Sequence, residues 1–177
     1  AKFRAAPGGA AGEWRSLFAT PALAMTDIVS TADLAVIGPQ PSDVFWNPAR
    51  LLDAGEFLMR AGRPALVVPK SGAPADFKTI LVTWKNTSEA RRAVADALPL
   101  LKTAESVTVA HVKEGSYEDN TVLDCKLFLE GHGIKPAIET LDAKQGTADR
   151  QLPDLAGGRH ADLIVAGAYG HSRLRES

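Results

Sequence analysis

An α/β fold built on a parallel sheet is what this chain of 177 residues predicts. Three observations carry that expectation. Short apolar runs, such as Ile80-Leu81-Val82 and Val107-Thr108-Val109-Ala110, are too brief for helices and alternate with longer stretches whose apolar residues recur every three or four positions. Glycine, proline and small polar residues punctuate the alternation. The stretch Ala161-Asp162-Leu163-Ile164-Val165-Ala166-Gly167 also has a degenerate earlier copy, Ala32-Asp33-Leu34-Ala35-Val36-Ile37-Gly38, so the chain holds two related units or parts of them. Strands separated by helices imply right-handed crossovers with helices on both faces of the sheet.

Taken in order, residues 1–12 are rich in Ala and Gly and suit a helix end or a loop. Leu34 to Ile37 reads as a strand, Pro48 to Arg60 as a helix through Leu51, Leu52, Phe57 and Leu58, and Ala65 to Val68 as a strand stopped by Pro69. The small residues from Ser71 to Ala75 have the composition of a linker. The boundaries expected are therefore a first unit over 1–70, a linker over 71–77 and a second unit over 78–177.

Beyond the linker, Lys78 to Trp84 is a strand and Lys85-Asn86-Thr87-Ser88 a polar turn into a helix. From Ser88 to Lys102, Ala90, Ala93, Val94, Ala97, Leu98 and Leu101 form one apolar stripe, with Pro99 expected to kink or shorten the last turn. Val107 to Val112 is the next strand and Thr121 to Glu130 the next helix, stopped by Gly131 and Gly133. Pro136 to Leu141 predicts a strand near a sheet edge, because proline offers no ladder donor. Gln151 to Gly157 is a weak helix interrupted by Pro153, and Leu163 to Ala166 a fourth strand.

Composition narrows the function. With 20 basic against 21 acidic residues and a net charge of −1, no field gathers nucleic acid or an anionic membrane. Cys125 is the single cysteine, which excludes an intrachain disulfide and a cysteine-built zinc site and favours a reducing, cytoplasmic setting. No apolar run approaches the roughly 20 residues of a membrane helix. Ligands of open parallel sheets bind beyond the carboxyl ends of the strands, where the strand order reverses. The turns after Trp84, Val112 and Gly167 are the places to look. Neither G-x-x-x-x-G-K-[ST] nor G-x-G-x-x-G occurs.

Ile80-Leu81-Val82-Thr83-Trp84 with its polar turn, Val109-Ala110-His111-Val112, and the run from Ala161 through Ala168-Tyr169-Gly170-His171-Ser172 together resemble the universal stress protein family. The likeness covers residues 78–172, and residues 32–69 resemble the last two strands of a worn first copy closed by Arg63-Pro64-Ala65-Leu66-Val67-Val68-Pro69. It implies a five-stranded parallel α/β sandwich of the adenine nucleotide alpha hydrolase-like type, strand order 3-2-1-4-5, often duplicated in tandem. The ligand implied is ATP or another adenine nucleotide, with magnesium. On this resemblance Thr83 and Lys85 line the first turn, Val112 packs on the base, and Gly167, Gly170, His171 and Ser172 approach the phosphates. Homodimers are implied as well.

Two departures accompany the likeness. The nucleotide binders continue G-x-x-G with nine residues and Gly-Ser or Gly-Thr, whereas here Gly167 and Gly170 are followed only by the residues to Ser177. Lys85 stands where binders carry an acid for the ribose, and lysine donates but cannot accept. The first unit has no opening strands and the second no closing ones, which predicts a truncated or incompletely recorded tandem protein, or two parts that complement one another.

Several residues have plainer readings. His111 is expected to be a satisfied strand histidine, Cys125 a buried thiol among Leu123, Leu127 and Phe128, and Trp84 a strand-end packing residue. His171 is as well explained by a solvated loop as by a phosphate contact, and Lys85, Arg173 and Arg175 by a basic exposed turn. No metal-spaced cluster, paired carboxylates or nucleophile elbow is visible, so no catalytic residue is named. A nucleotide-binding stress protein and a dimeric scaffold of the same fold with a vestigial pocket both remain. Gly38-Pro39-Gln40-Pro41, standing where a first-copy G-x-x-G would be, and Lys85 favour the second.

Overall fold

A computed structural model describes residues 12–13, 15–39, 52–74, 76–113, 120–143 and 147–167. The chain divides into two compact units, Ala1–Leu66 and Val67–Ser177.

In the first unit, α1 (Pro21–Ile28) runs into a 3-10 turn (Val29–Thr31) and then β1 (Ala35–Ile37). Helix α2 (Ala54–Ala61) precedes β2 (Ala65–Val67), which reaches the boundary and pairs with β1 in a two-stranded sheet. Asp53 caps α2 by accepting from the Glu56 backbone N–H at 3.0 Å, and Gly62 closes it in the left-handed region at φ 58°. Phe57, fully buried, centres a small core with Val29, Ala35 and Ile37. Helix α1 was not foreseen in the sequence, although Thr20 followed by Pro21 is a helix-start signal.

The second unit holds β3 (Thr79–Trp84), α3 (Ser88–Asp96), α4 (Leu98–Leu101), β4 (Ser106–Lys113), α5 (Thr121–Gly131), β5 (Ala137–Asp142), α6 (Ala148–Gly158) and β6 (Leu163–Val165). Among the described residues its four strands lie in the order β5-β4-β3-β6 and every pairing is parallel. β3 is central: Ile80, Leu81 and Val82 are buried whichever face they point to, as expected of a strand covered on both sides. Counted within the unit this order is 3-2-1-4. No fifth strand beside β6 occurs among the described residues.

Alternation along the strands sorts the two faces. Ile80, Val82, Trp84, Val107 and Val109 pack against α3, α4 and α5 through Ala90, Val94, Leu101, Val122, Cys125 and Leu129. Leu81 and Ala110 turn the other way, onto Leu152 and Ala156 of α6. Cys125 is buried as expected, but with Val122 and Leu129, which helical spacing puts on its face, while Leu123, Leu127 and Phe128 are exposed. β5 takes the edge that Pro136 suggested.

Three expectations need correction. The stripe from Ser88 to Lys102 is two helices, because Pro99 starts α4 in its first turn rather than bending the end of α3. β4 runs from Ser106 to Lys113, one residue longer at each end than expected, so Val112 is a strand residue as read and the turn begins after Lys113. Helix α6 is longer than expected and carries Pro153 inside it, where the ring nitrogen cannot donate to the carbonyl four residues back.

At the opposite end of the sheet from these turns, Asp162 ties the last strand to the first. Its Oδ2 accepts from the backbone N–H groups of Lys78 and Thr79 at 3.0 and 2.9 Å, while its own N–H donates to the Thr79 carbonyl at 2.8 Å. The Ala-Asp-Leu pattern thus has a structural role at the start of β6.

Candidate functional site

The chain passes from β3 through β4 to β5 on one side and returns to β6 on the other side of β3. The reversal point is therefore between β3 and β6, and in open parallel sheets the crevice beyond the carboxyl ends at such a point is where ligands bind. Val82 is opposite Val165 in the register, which brings Thr83 and the residues after Val165 together. The Thr83 hydroxyl donates to the Val165 carbonyl at 3.3 Å, a long bond that bridges the two strand ends.

On the other flank, Thr83 is opposite Ala110 and Trp84 opposite His111. Val112 follows Ala110 by two positions, so Thr83 and Val112 share the α6 face of the sheet. This arrangement puts a hydroxyl and an apolar side chain beside one another at the strand ends. Trp84 points to the other face, where its indole N–H donates to Thr121 Oγ1 at 3.2 Å. It packs the strand end and is not placed to stack on a ligand in the crevice.

Gly167 lies two residues past β6, against the first turn of α3. A Cβ built on it would stand 2.7 Å from the Ala90 nitrogen, 2.9 Å from the Glu89 carbonyl carbon and 3.0 Å from the Ala90 Cα. Only glycine fits so close to another backbone. Gly167 and the start of α3 therefore meet main chain to main chain, with no side chain between them.

Lys85 opens the turn from β3 to α3. Thr87 caps the helix, its Oγ1 accepting from the Ala90 N–H at 3.2 Å. Glu89 then sits in the first turn. A hydrogen bond from its own backbone N–H, and next the Ser88 hydroxyl at 2.8 Å, hold its carboxyl below the usual range. A negative charge thus already occupies the electropositive end of α3. Neither Thr87 nor Glu89 was singled out from the sequence, although a threonine at the head of an apolar-periodic run, with an acid in the first turn, is a helix-start signal.

Of the residues expected at the site, Thr83, Lys85, Val112 and Gly167 lie at the carboxyl ends of β3, β4 and β6. Gly170, His171 and Ser172 lie outside the described residues. His111, on the α5 face, bonds Thr140 Oγ1 through Nε2 at 2.8 Å and is a structural cross-strand contact. Among the described residues no helix is long and apolar enough to cross a membrane.

No family model matches the sequence, and no curated protein matches it. Solved structures do share its fold. A universal stress protein from Archaeoglobus fulgidus DSM 4304 aligns with a TM-score of 0.62 over 81% of this chain and 52% of that one, at 14% sequence identity. The protein Rv1636 from Mycobacterium tuberculosis H37Rv is 22% identical over 54% of this chain and 74% of its own, with a TM-score of 0.46. The chain spans about half the length of the archaeal protein, and it has the α/β fold with parallel strands seen there.

Proposed function

We propose that this chain is part of a universal stress protein and that its second unit binds an adenine nucleotide at the carboxyl ends of β3, β4 and β6. The supporting observation is the reversal of strand order between β3 and β6, at whose carboxyl ends Thr83 and Val112 lie toward α6 and Gly167 lies against α3. The residues fit the group in part. Val112 offers an apolar surface for a base, Thr83 a hydroxyl, and Gly167 a stretch of main chain without a side chain. Lys85 would face phosphates rather than the ribose. Magnesium, if carried, would arrive on the phosphates.

A second reading is that the protein is a dimeric interaction or scaffold protein of the same fold. Two observations favour it. The closeness of Gly167 to the α3 backbone accounts for that glycine without any ligand. The Glu89 carboxylate sits where a phosphate would profit from the α3 dipole.

Native mass spectrometry of the purified protein, with and without ATP and magnesium, separates the two. A bound nucleotide mass that is lost on Gly170→Val with the fold retained supports the first reading. An apo dimer indifferent to excess ATP supports the second.

A further inference from the structure

On the sheet face opposite α6, α3 and α5 enclose a cavity of about 270 Å³. It opens over Trp84 and is walled by Val94, Ala95, Cys125 and Phe128. The volume is just below the roughly 300–1,000 Å³ typical of small-molecule pockets, which suits a ligand with at most one ring.

The interior asks for an apolar group. The indole N–H of Trp84 is already engaged by Thr121, and the Cys125 thiol is held neutral by burial, pushed up to about 11. The mouth is different, because it carries both signs of charge. Arg91 stands on the α3 wall with its Nη1 donating to Asn86 Oδ1 at 2.6 Å, an anchor that leaves other guanidinium N–H groups for a ligand. Asp124 stands on the α5 wall, in that helix's first turn. Although both charges line one mouth, no ion pair within 4.0 Å joins them. A plain carboxylate would be attracted by Arg91 and repelled by Asp124, and an amine the reverse. Only a ligand carrying both charges satisfies both walls.

From this juxtaposition we infer that the α3–α5 cavity is a binding site for a free apolar α-amino acid, its carboxylate on Arg91, its ammonium on Asp124 and its side chain over Trp84. The site is distinct from the crevice, and its existence does not depend on whether the protein holds a nucleotide.

Titration of the ¹⁵N-labelled full chain with L-phenylalanine tests this, reading the indole N–H signal of Trp84, identified as the one that Trp84→Phe removes. Phenylalanine should shift it saturably. Phenylpropionate, without the ammonium, and phenethylamine, without the carboxylate, should each bind about tenfold more weakly or worse, since each forfeits one charge-assisted contact. Glycine, which has no side chain for the cavity, should leave the signal in place. Arg91→Gln and Asp124→Asn should weaken phenylalanine to a similar extent while the rest of the spectrum stays that of a folded protein. The inference is overturned if phenylalanine produces no saturable shift, if either analogue binds as tightly, or if both variants bind phenylalanine normally.

Discussion

Single atoms decide how much freedom the candidate crevice has. Because a Cβ on Gly167 would press on the backbone of Glu89 and Ala90, Gly167→Ala should destabilise the second unit by about 1–3 kcal/mol, measured by urea unfolding. An unchanged midpoint would mean that the loop yields at no cost. Asp162 makes an equally local claim. Its carboxylate satisfies two backbone donors at the head of β3, so Asp162→Ala should cost about 1–3 kcal/mol, and Asp162→Asn, which keeps one acceptor oxygen, less. At Cys125, burial raises the thiol from 9.0 to about 11. The folded state thus keeps a proton that the unfolded state gives up first, and this contribution is intact below pH 9 and lost progressively between about 9 and 11. Alkaline unfolding profiles of the protein and of Cys125→Ser should diverge only in that window.

Helix termini and interruptions set the next scale. Thr87 holds the first turn of α3, the same turn that Gly167 abuts, so Thr87→Ala should cost about 1 kcal/mol and Thr87→Ser much less. Within α6, Pro153 forfeits one backbone bond while Leu152 and Ala156 keep the helix docked on Leu81 and Ala110. Burial of that apolar face outweighs the broken ladder. The same reasoning explains why a stretch with poor helix propensity is nevertheless helical, and why its length was underestimated from the residues alone.

Taken as whole bodies, the two units have separate cores. Phe57, Val29, Ala35 and Ile37 make the first, and the two faces around β3 make the second. Phe57→Ala removes the one large, fully buried side chain of the smaller core among the described residues and should cost about 3–5 kcal/mol there. Hydrogen exchange should then show α2 and β1 exposed while β3 and β4 stay protected. Loss of protection in both units together would show that they fold as one.

By itself the sequence determined the alternation of strands and helices, the edge place of β5, the buried thiol, and Thr83, Val112 and Gly167 as strand-end residues, because these follow from periodicity, proline chemistry and turn residues that act locally. Tertiary structure alone decided the rest. That Gly167 touches α3, that Asp162 caps the start of β3, that Trp84 faces away from the crevice and that Arg91 and Asp124 flank one cavity are relations between residues far apart in the chain. Such relations depend on strand register and on which face a crossover helix covers, and both are set by the summed burial of many side chains rather than by any short pattern.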